Sequence, residues 1–254
     1  MEKSMQSHYV GTAVIMAGGL GLRINQHIDN KPKGFIDIDG VTLIERSINI
    51  MKKHGIRRFI IGTGYQSPYY EKLAEKIPHI LLKKNPIYAR TSSFYTLFNL
   101  RELITEDFLL LESDLLFEEK AIQYLQQHNE KNVVLASGRT HSRDEVYIET
   151  DDRGILVKMS KDREMLGRVD GELVGITRLS LQRFQQICAA YQADESTAEK
   201  IDYETALTTI SATHPIRVDR IEDLIWTEID MVSHLDRAKN TIYPRIKQKE
   251  TGRT

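Results

Sequence analysis

A segment near the start of the chain has the composition of a phosphate-binding loop. Ala17–Arg23 contains three glycines and an arginine, and it directly follows the apolar run Val10–Met16, which predicts a buried strand. Backbone N–H groups of such a turn approach phosphate oxygens closely, and an arginine or lysine adds a charge-assisted contact. Lys33 is a second cation a few residues downstream. The candidate phosphate-binding residues are therefore Ala17, Gly18, Gly19, Gly21, Arg23 and Lys33.

Two better-known glycine motifs do not fit this segment. A Walker loop would end in Gly-Lys-Ser/Thr, which is absent here. A dinucleotide fingerprint would place a glycine three residues after Gly21, where Ile24 stands. A tight turn that binds no ligand is the remaining alternative, although three glycines and an arginine exceed what a turn requires.

Carboxylates follow two other extended segments. Asp114 lies three residues after the apolar run Phe108–Leu111, and Asp230 directly follows Trp226–Ile229. Ligands of α/β sheets bind at the carboxyl ends of the strands, and Mg²⁺ takes one or two carboxylates together with substrate phosphate oxygens. Asp114 is therefore a candidate metal ligand. Asp230 is either a second ligand or a helix N-cap, and the two roles are compatible.

The elements that must position these residues alternate between strand and helix in the first half. Apolar runs bounded by turn residues predict strands, and signals such as the capping box of Thr42 and Glu45 predict helices. The predicted strands are Val10–Met16, Phe35–Ile38, Arg58–Gly62, Ile80–Leu82 and Phe108–Leu111. One predicted helix follows Thr42 and a second begins at Pro68. A third runs from Ser92 or Ser93 to about Leu103, and a fourth covers Glu118–His128. This alternation is typical of a parallel sheet covered on both faces.

The second half has a different pattern, with alternating residues on both sides of a turn at Asp151–Gly154 that predict a hairpin. The predicted elements are strands Val133–Ala136, Glu145–Glu149, Ile155–Met159 and Glu172–Thr177, helices Ser180–Tyr191, Tyr203–Ile210 and Met231–Lys239, a loop Ala193–Glu199, an extended segment Ile216–Val218, and a basic polar tail Arg245–Thr254. We predict a single α/β domain over residues 1–254. Its sheet is Rossmann-like, mixed but mostly parallel, with helices on both faces and a β-rich insertion over the active face.

Composition excludes several classes of protein. The 254 residues carry a formal net charge of −1, which leaves no overall electrostatic footprint for nucleic acid. With a single cysteine, Cys188, the chain cannot form an intrachain disulfide. No apolar run is long enough to span a bilayer, and Met1–Tyr9 has no apolar signal region. We expect a cytoplasmic protein without membrane insertion, and leave a homodimer open.

At the family level, Met16–Arg23 together with Lys31–Phe35 resembles the signature of the sugar-nucleotidyltransferase superfamily, whose members join an NTP to a phosphorylated or phosphonylated small molecule and release diphosphate. The resemblance implies the nucleotide-diphospho-sugar transferase fold. It also implies that the glycine loop binds the nucleotide, that Arg23 and Lys33 act in catalysis, and that Asp114 and Asp230 bind Mg²⁺.

The nucleotide is suggested by the segment Asn85–Leu97, which resembles cytidylyltransferases of the phosphocholine and 2-aminoethylphosphonate type. The resemblance implies that residues 9–130 form a CTP-binding half, residues 131–230 an acceptor-binding half, and residues 231–254 a C-terminal helix and tail. The residues expected beside the cytosine are Thr91, Ser92 and Ser93, with Gly64 and Tyr65 in a base-side loop.

The acceptor is suggested by an acidic and aromatic set of residues in the second half. The candidate acceptor-binding residues are Asp144, Glu145, Tyr147, Asp202, Tyr203, Glu204 and Glu228, with Arg139 on the acceptor phosphonate. Such a set suits a cationic amine: carboxylates accept the N–H bonds of a primary ammonium, whereas aromatic rings form a cage for a quaternary one. Trp226 is the one tryptophan available for such a cage.

The choice between these acceptors depends on further resemblances. Phosphocholine members place an aromatic residue near Val146, whereas Asp144–Glu149 and Gly171–Ile176 resemble 2-aminoethylphosphonate cytidylyltransferases. We therefore expect the reaction CTP + 2-aminoethylphosphonate → CMP-2-aminoethylphosphonate + diphosphate. The alternatives are phosphocholine or phosphoethanolamine as acceptor, a sugar-1-phosphate nucleotidyltransferase, and a catalytically dead nucleotide-binding module.

Overall fold

The computed structural model describes residues 9–252. Residues 1–8 and 253–254 lie outside the described part of the chain. The prediction of no apolar signal region at Met1–Tyr9 and the end of the predicted basic tail fall on these residues.

The strands form where short apolar or alternating runs meet turn residues. They are Thr12–Ala17 (β1), Asp37–Ile38 (β2), Val41–Thr42 (β3), Arg58–Thr63 (β4), Ile80–Lys84 (β5), Phe108–Glu112 (β6), Leu115–Phe117 (β7), Val133–Ser137 (β8), Tyr147–Thr150 (β9), Leu156–Ser160 (β10), Gly171–Leu179 (β11), Arg217–Ile221 (β12) and Trp226–Glu228 (β13).

A mixed sheet joins most of these strands. Parallel pairing gives the order β5-β4-β1-β6, and β11 then pairs antiparallel with β6 on one edge and with β8 on the other. β12 continues the sheet parallel to β8. β1 is buried along its whole length because the sheet is covered on both faces. The predicted fold class, a mostly parallel α/β sheet, is confirmed.

The predicted hairpin extends this sheet. β9 and β10 pair antiparallel, and β9 also pairs with the start of β11 at Gly171 and Glu172. Glu172 pairs with β8 as well, so β9 occupies the same edge of β11 that β6 occupies further along. The second half of the chain therefore adds its β-rich part beside the carboxyl end of β6.

A separate two-stranded ribbon carries the two candidate metal-binding aspartates. β7 and β13 pair antiparallel, with Glu228 opposite Leu115. Asp114 precedes β7 and Asp230 follows β13, and the Ile229 N–H donates to the Asp114 carbonyl at 3.1 Å. This pairing brings together two residues that lie far apart in the sequence.

Helices cover the sheet. They are Leu43–Lys53 (α1), Ser67–Lys76 (α2), Ser93–Asn99 (α3), Lys120–Gln127 (α4), Leu181–Gln192 (α5), Glu195–Ala198 (α6), Tyr203–Ser211 (α7), Val232–Arg237 (α8) and Tyr243–Glu250 (α9), with a π-helical turn Ala238–Ile242 between the last two. The capping box of Thr42 and Glu45 is present at the start of α1. Within the described residues, no helix is long and apolar enough to cross a membrane.

Several element predictions were wrong in whole or in part. Of the predicted strand Phe35–Ile38, only Asp37–Ile38 is extended in β2, and Phe35 ends the 3-10 helix Lys33–Phe35. The segment predicted as the loop Ala193–Glu199 contains α6, which Asp194 caps by accepting the Thr197 N–H. The predicted tail Arg245–Thr254 is helical as far as Glu250, because Ile242 and Ile246 bury themselves against the ribbon. The helix predicted to reach Leu103 ends at Asn99.

Candidate active site

A polar cavity of about 270 Å³ lies at the carboxyl ends of β1 and β6. Strand ends, the glycine loop, the start of α3 and the start of α7 all contribute to its wall. Carboxyl strand ends are the general ligand-binding position of α/β sheets. Of the residues predicted from the sequence, those that line this cavity are Ala17, Gly18, Gly19, Lys33, Thr91, Ser92, Ser93, Asp114, Asp202, Tyr203, Glu204 and Glu228.

The glycine loop is closed by its own backbone. Gly21 has a φ of +61°, in the left-handed region, and its carbonyl accepts the N–H groups of Ile24 and Asn25, both at 3.1 Å. Gly64 packs against the same loop so closely that an added Cβ would lie 2.5 Å from the Gly18 carbonyl. Glycine is needed at both positions, for the turn in one case and for the close approach in the other.

Lys33 joins the two aspartates of the ribbon. Its ammonium forms ion pairs with Asp114 and, at 2.7 Å, with Asp230. Burial alone would lower the pKa of Lys33, but the two carboxylates reverse that effect and raise it. Burial likewise would raise the pKa of Asp230, and Lys33 instead holds it well below its usual range. Lys33 and Asp230 are therefore both charged at neutral pH.

Arg23 extends this chain of ion pairs towards the second half. Its guanidinium lies 3.1 Å from Asp230 and 2.8 Å from Asp144. Asp144 in turn accepts a hydrogen bond from the Lys161 ammonium at 3.1 Å. The glycine loop, the ribbon and the β9–β10 hairpin are thus connected through one alternating series of charges.

The carboxylates around the ribbon have the donor chemistry of a Mg²⁺ site. Two groups of three have ligand atoms within 4.8 Å of one another: Glu112, Asp114 and Glu228, and Asp144, Glu228 and Asp230. Oxygen ligands of this kind suit a hard divalent cation. The ammonium between Asp114 and Asp230 already indicates that the pocket stabilises positive charge, so the residues fit the ion.

Two glutamates beside the aspartates hold protons more strongly than usual. Burial, together with the charges of Asp114 and Glu204, raises the pKa of Glu112 to about 8. The Tyr203 hydroxyl donates a short hydrogen bond to Glu112. Burial, and then the charge of Asp114, raise the pKa of Glu228 well above its usual range. The packed carboxylates therefore limit how much negative charge the cavity carries without a cation.

A smaller cavity of about 50 Å³ continues from the first one and has several acidic walls. The residues predicted from the sequence that line this smaller cavity are Asp144, Glu145, Glu204 and Glu228. Glu204 belongs to both cavities, and its Oε2 is enclosed with no hydrogen-bond partner among residues 9–252. Burial raises the pKa of Glu204 to about 7. An enclosed carboxylate oxygen without a partner is suited to a cationic ligand.

On the nucleotide side, a buried amide organises the loop before α3. Asn85 donates to the hydroxyls of Thr91 at 2.9 Å and Thr96 at 3.2 Å, and accepts the Ile87 N–H. Ser92 and Ser93 bond to the segment that precedes α7: the Ser92 hydroxyl donates to the Lys200 carbonyl, and the Ser93 hydroxyl accepts the Tyr203 N–H. These serines therefore join the two halves of the chain at the cavity wall.

Residues 13–201 match the family profile described as the MobA-like NTP transferase domain. This chain belongs to the MobA-like NTP transferase family. The match covers about three quarters of the 254 residues and includes the glycine loop, Lys33 and Asp114. The resemblance to the nucleotidyltransferase superfamily is confirmed, and so is the prediction of an enzyme of that class.

Relatives of this NTP transferase include enzymes named for phosphonates and for choline phosphate. The CMP-5'-(3-aminopropyl)phosphonate synthase of Streptomyces rubellomurinus is 25% identical over 232 residues, which cover 86% of this chain and 36% of that protein. The 2-aminoethylphosphonate cytidylyltransferase of Lancefieldella rimae is 24% identical over 230 residues, 88% of this chain and 89% of that protein. The choline-phosphate cytidylyltransferase of Streptococcus pneumoniae is 32% identical over 106 residues, 42% of this chain and 46% of that protein.

The chain thus spans less than half the length of two of these relatives. Among solved structures, the inositol-1-phosphate CTP transferase from T. maritima superposes with a TM-score of 0.80 over 95% of this chain and 98% of the other, at 19% identity. At this level of identity, the superposition shows a shared fold.

Some residues predicted for the NTP transferase site do not line either cavity. Arg139 is exposed on the loop after β8. Tyr147 hydrogen-bonds Glu145 at 3.5 Å, and Tyr65 contacts the glycine loop and donates to the Asn30 carbonyl. Gly64 supports the same loop from behind. Gly21, Arg23 and Asp230 do not line either cavity, but Arg23 pairs with Asp144 and Asp230 pairs with Lys33, and both of these partners do.

Several residues that line the two cavities were not predicted from the sequence. Lys161 follows β10 and lines both cavities, and Glu172, Thr140 and His234 line the smaller one. A lysine after a predicted hairpin has no motif around it and resembles any solvated lysine. Glu172 is buried on β11, and a buried carboxylate in a predicted strand is a signal that could have been used.

Proposed function

We propose that this NTP transferase is a Mg²⁺-dependent cytidylyltransferase that converts CTP and 2-aminoethylphosphonate to CMP-2-aminoethylphosphonate and diphosphate. The larger cavity holds CTP, with the triphosphate over the glycine loop and the base near Thr91. The smaller cavity holds the aminoethyl group. The acceptor phosphonate then lies where the two cavities meet, beside Lys161, which belongs to both walls.

The chemistry is a nucleotidyl transfer in which one bond forms and one breaks. A phosphonate oxygen attacks the α-phosphorus of CTP, and the bond from that phosphorus to the bridging oxygen breaks, so diphosphate leaves with its electron pair. The attacking oxygen is already anionic near neutral pH, so positioning and charge stabilisation supply most of the catalysis. Arg23 and Lys33 offset charge on the triphosphate. Asp114 and Asp230 would hold Mg²⁺, which when bound would supply Lewis-acid stabilisation of phosphate oxygens.

One observation carries the choice of acceptor. Glu204 presents an enclosed carboxylate oxygen without a partner among the described residues, in a cavity of about 50 Å³. A cavity of this size has room for a few water molecules, which suits a primary ammonium on a two-carbon chain. A trimethylammonium group is wider and cannot donate N–H bonds to Glu204. The names of two relatives that cover most of this chain are consistent with an aminophosphonate.

Phosphocholine is the second candidate, and Trp226 favours it. Its indole lines the smaller cavity, where an aromatic ring is a favourable neighbour for a quaternary ammonium. The choline-phosphate relative covers less than half of this chain. Val146, which also lines the cavity, adds no second aromatic wall.

Diphosphate release measured for one acceptor at a time tests the proposal. The reactions contain Mg²⁺, one of CTP, UTP, dTTP or ATP, and one of 2-aminoethylphosphonate, phosphoethanolamine, phosphocholine or glucose-1-phosphate. The expected result is release that requires CTP and is fastest with 2-aminoethylphosphonate. Release with UTP or dTTP and glucose-1-phosphate would instead indicate a sugar nucleotidyltransferase. Nucleotide binding with no release for any pair would indicate a catalytically dead module.

A further inference from the structure

The loop between β8 and β9 forms one wall of the smaller cavity. This acceptor loop, residues 139–146, contributes Thr140, Ser142 and Asp144 to the wall. The residues between them, His141 and Arg143, have φ values of +56° and +72°. Left-handed backbone at two non-glycine residues persists only where surrounding contacts impose it. The contacts that hold this loop therefore shape the cavity.

Contacts from three directions hold the acceptor loop. Its start is fixed by Glu172, which accepts the Thr140 N–H at 2.7 Å. Its end is fixed by the ion pairs that Arg23 and Lys161 make with Asp144. Its middle is fixed by His234, whose Nε2 lies 3.0 Å from the Ser142 carbonyl oxygen.

His234 contacts the metal-side aspartate as well. It lies on α8, is 3% exposed, and its Nδ1 lies 3.4 Å from the backbone nitrogen of Asp230. A carbonyl oxygen only accepts and a backbone N–H only donates, so the two neighbours select one form of the ring. Nε2 carries the proton and donates to Ser142, and Nδ1 accepts from Asp230.

We propose that His234 is a positioning residue that couples the acceptor loop to Asp230. The ring of His234 links the wall of the acceptor cavity to the backbone of Asp230, whose carboxylate pairs with Arg23 and Lys33. Neither contact involves the reacting atoms, so His234 acts through Asp230 and Ser142. This inference rests on the proposed function for the names of the two cavities and for Asp230 as a metal ligand, but its geometry does not depend on the identity of the acceptor.

Two near-isosteric variants separate the contacts. In His234→Asn, the side-chain amide reaches about as far as Nδ1 and keeps a group that accepts from Asp230, whereas the bond to Ser142 is lost. In His234→Gln, the amide reaches about as far as Nε2 and keeps a donor for Ser142, whereas the bond to Asp230 is lost. His234→Ala removes both. Gln123→Ala, at an exposed position on α4, is the matched control.

The first measurements need no turnover. Hydrogen exchange of residues 139–146 reports on the loop, and electron paramagnetic resonance of free Mn²⁺ reports on metal affinity. We expect faster loop exchange in His234→Asn and His234→Ala but not in His234→Gln. We expect Mn²⁺ affinity to fall by about tenfold in His234→Gln and His234→Ala but not in His234→Asn. The control changes neither quantity.

Steady-state kinetics give the matching functional readout. The KM for the acceptor should rise in His234→Asn, while the KM for CTP stays within twofold. The inference is overturned if all three variants change loop exchange and Mn²⁺ affinity together, or change only the melting temperature, since either result describes a purely structural histidine. Because exchange and Mn²⁺ binding are independent of the substrate, an acceptor that differs from the proposed one would leave this test intact.

Discussion

The charged residues of the site alternate in sign from one protein segment to the next. Lys33 lies between Asp114 and Asp230, and Arg23 lies between Asp230 and Asp144. Each carboxylate therefore has a cation before any substrate binds, which is how a protein keeps buried charges from destabilising the fold. In the proposed reaction a triphosphate and a metal ion would replace these partners, so the same side chains would serve first stability and then chemistry.

Much of this residue-scale arrangement could be predicted from the sequence, because motifs surround it. Arg23 and Lys33 lie in a recognisable glycine-loop pattern, and Asp114 ends an apolar strand. Lys161 could not be predicted, since its role comes from where the β9–β10 hairpin folds and not from its neighbours. Arg139 illustrates the opposite case: its strand was predicted, but the turn that follows leaves the side chain exposed.

Replacement of Asp114 tests the metal assignment. Asp114→Asn keeps the size of the side chain but removes a carboxylate from the group of three that could hold the ion. We expect turnover to fall by roughly two or more orders of magnitude, while the circular dichroism spectrum stays native. Asp152→Asn, at a fully exposed position, is the control and should retain full activity. An Asp114→Asn enzyme that turns over normally would exclude Asp114 as a ligand.

Glu204 predicts a specific dependence on pH. Since burial raises its pKa to about 7, the carboxyl is mostly protonated at pH 6 and mostly ionised at pH 8. Only the ionised form pairs with an alkyl ammonium, which stays charged throughout this range. We expect kcat/KM for the acceptor to rise by about tenfold from pH 6 to pH 8 on account of this group.

Glu204→Gln removes that contribution and raises the acceptor KM by about 10- to 100-fold, with the KM for CTP unchanged. Titration of the acceptor phosphonate falls in the same pH range and persists in this variant, so the difference between the two profiles isolates Glu204. Glu71→Gln, exposed on α2, is the control. Identical profiles for wild type and Glu204→Gln would rule out an ionic role.

At the scale of elements, the β7–β13 ribbon decides where the site forms. Its strands have three residues each and are too short to give a periodic signal, so the sequence analysis recognised an extended segment near Trp226 but not its partner. Pairing between segments so distant in the chain produces no local sequence pattern. The parallel strands and the capped helices, in contrast, were predictable because their signals are local.

A bulge in β11 adds a second element-scale constraint. Gly175 has a φ of +78°, and the pairing with β8 shifts register between Leu173 and Thr177. A Cβ at Gly175 would lie 3.1 Å from the Glu112 Oε1. The irregular strand therefore leaves room for a carboxyl group of the cavity, as bulges beside active sites commonly do.

Gly175→Ala and Gly154→Ala form a matched pair. Both positions have positive φ, so each variant should lose about 1 kcal/mol of stability. At Gly154 the nearest atom to an added Cβ is the Val218 carbonyl oxygen, 3.7 Å away and far from the site. We expect kcat/KM to fall by about tenfold in Gly175→Ala alone. Equal activity of the two variants, measured at equal folded fraction, would contradict this role of the bulge.

At the scale of the whole molecule, the buried apolar side chains of residues 9–252 form two cores. The larger core surrounds the main sheet, and the smaller one joins the segment after the glycine loop, the ribbon and the C-terminal helices. The smaller core includes Ile24, Ile229 and Ile246. For the C-terminal helices the sequence suggested a polar tail, because two buried isoleucines among charged residues give little hydrophobic pattern.

Ile246→Ala tests whether α9 is an integral part of the fold. Ile246 is fully buried, and its truncation should cost about 2–5 kcal/mol, which corresponds to a melting temperature lower by roughly 5–15 °C. Gln248→Ala, exposed on the same helix, should leave the melting temperature within about 1 °C. Equal melting temperatures, measured by differential scanning calorimetry, would show that the helix does not stabilise the smaller core.

A competition assay tests the central claim most directly. One reaction contains CTP, Mg²⁺ and equal concentrations of 2-aminoethylphosphonate, phosphoethanolamine, phosphocholine and glucose-1-phosphate, and mass spectrometry measures the cytidylylated products. The initial product ratios equal the ratios of kcat/KM, so one measurement ranks all four acceptors. The proposed function predicts CMP-2-aminoethylphosphonate in clear excess, with its share falling in Glu204→Gln. A dominant phosphocholine or glucose product, or a ratio that does not change in Glu204→Gln, would contradict it.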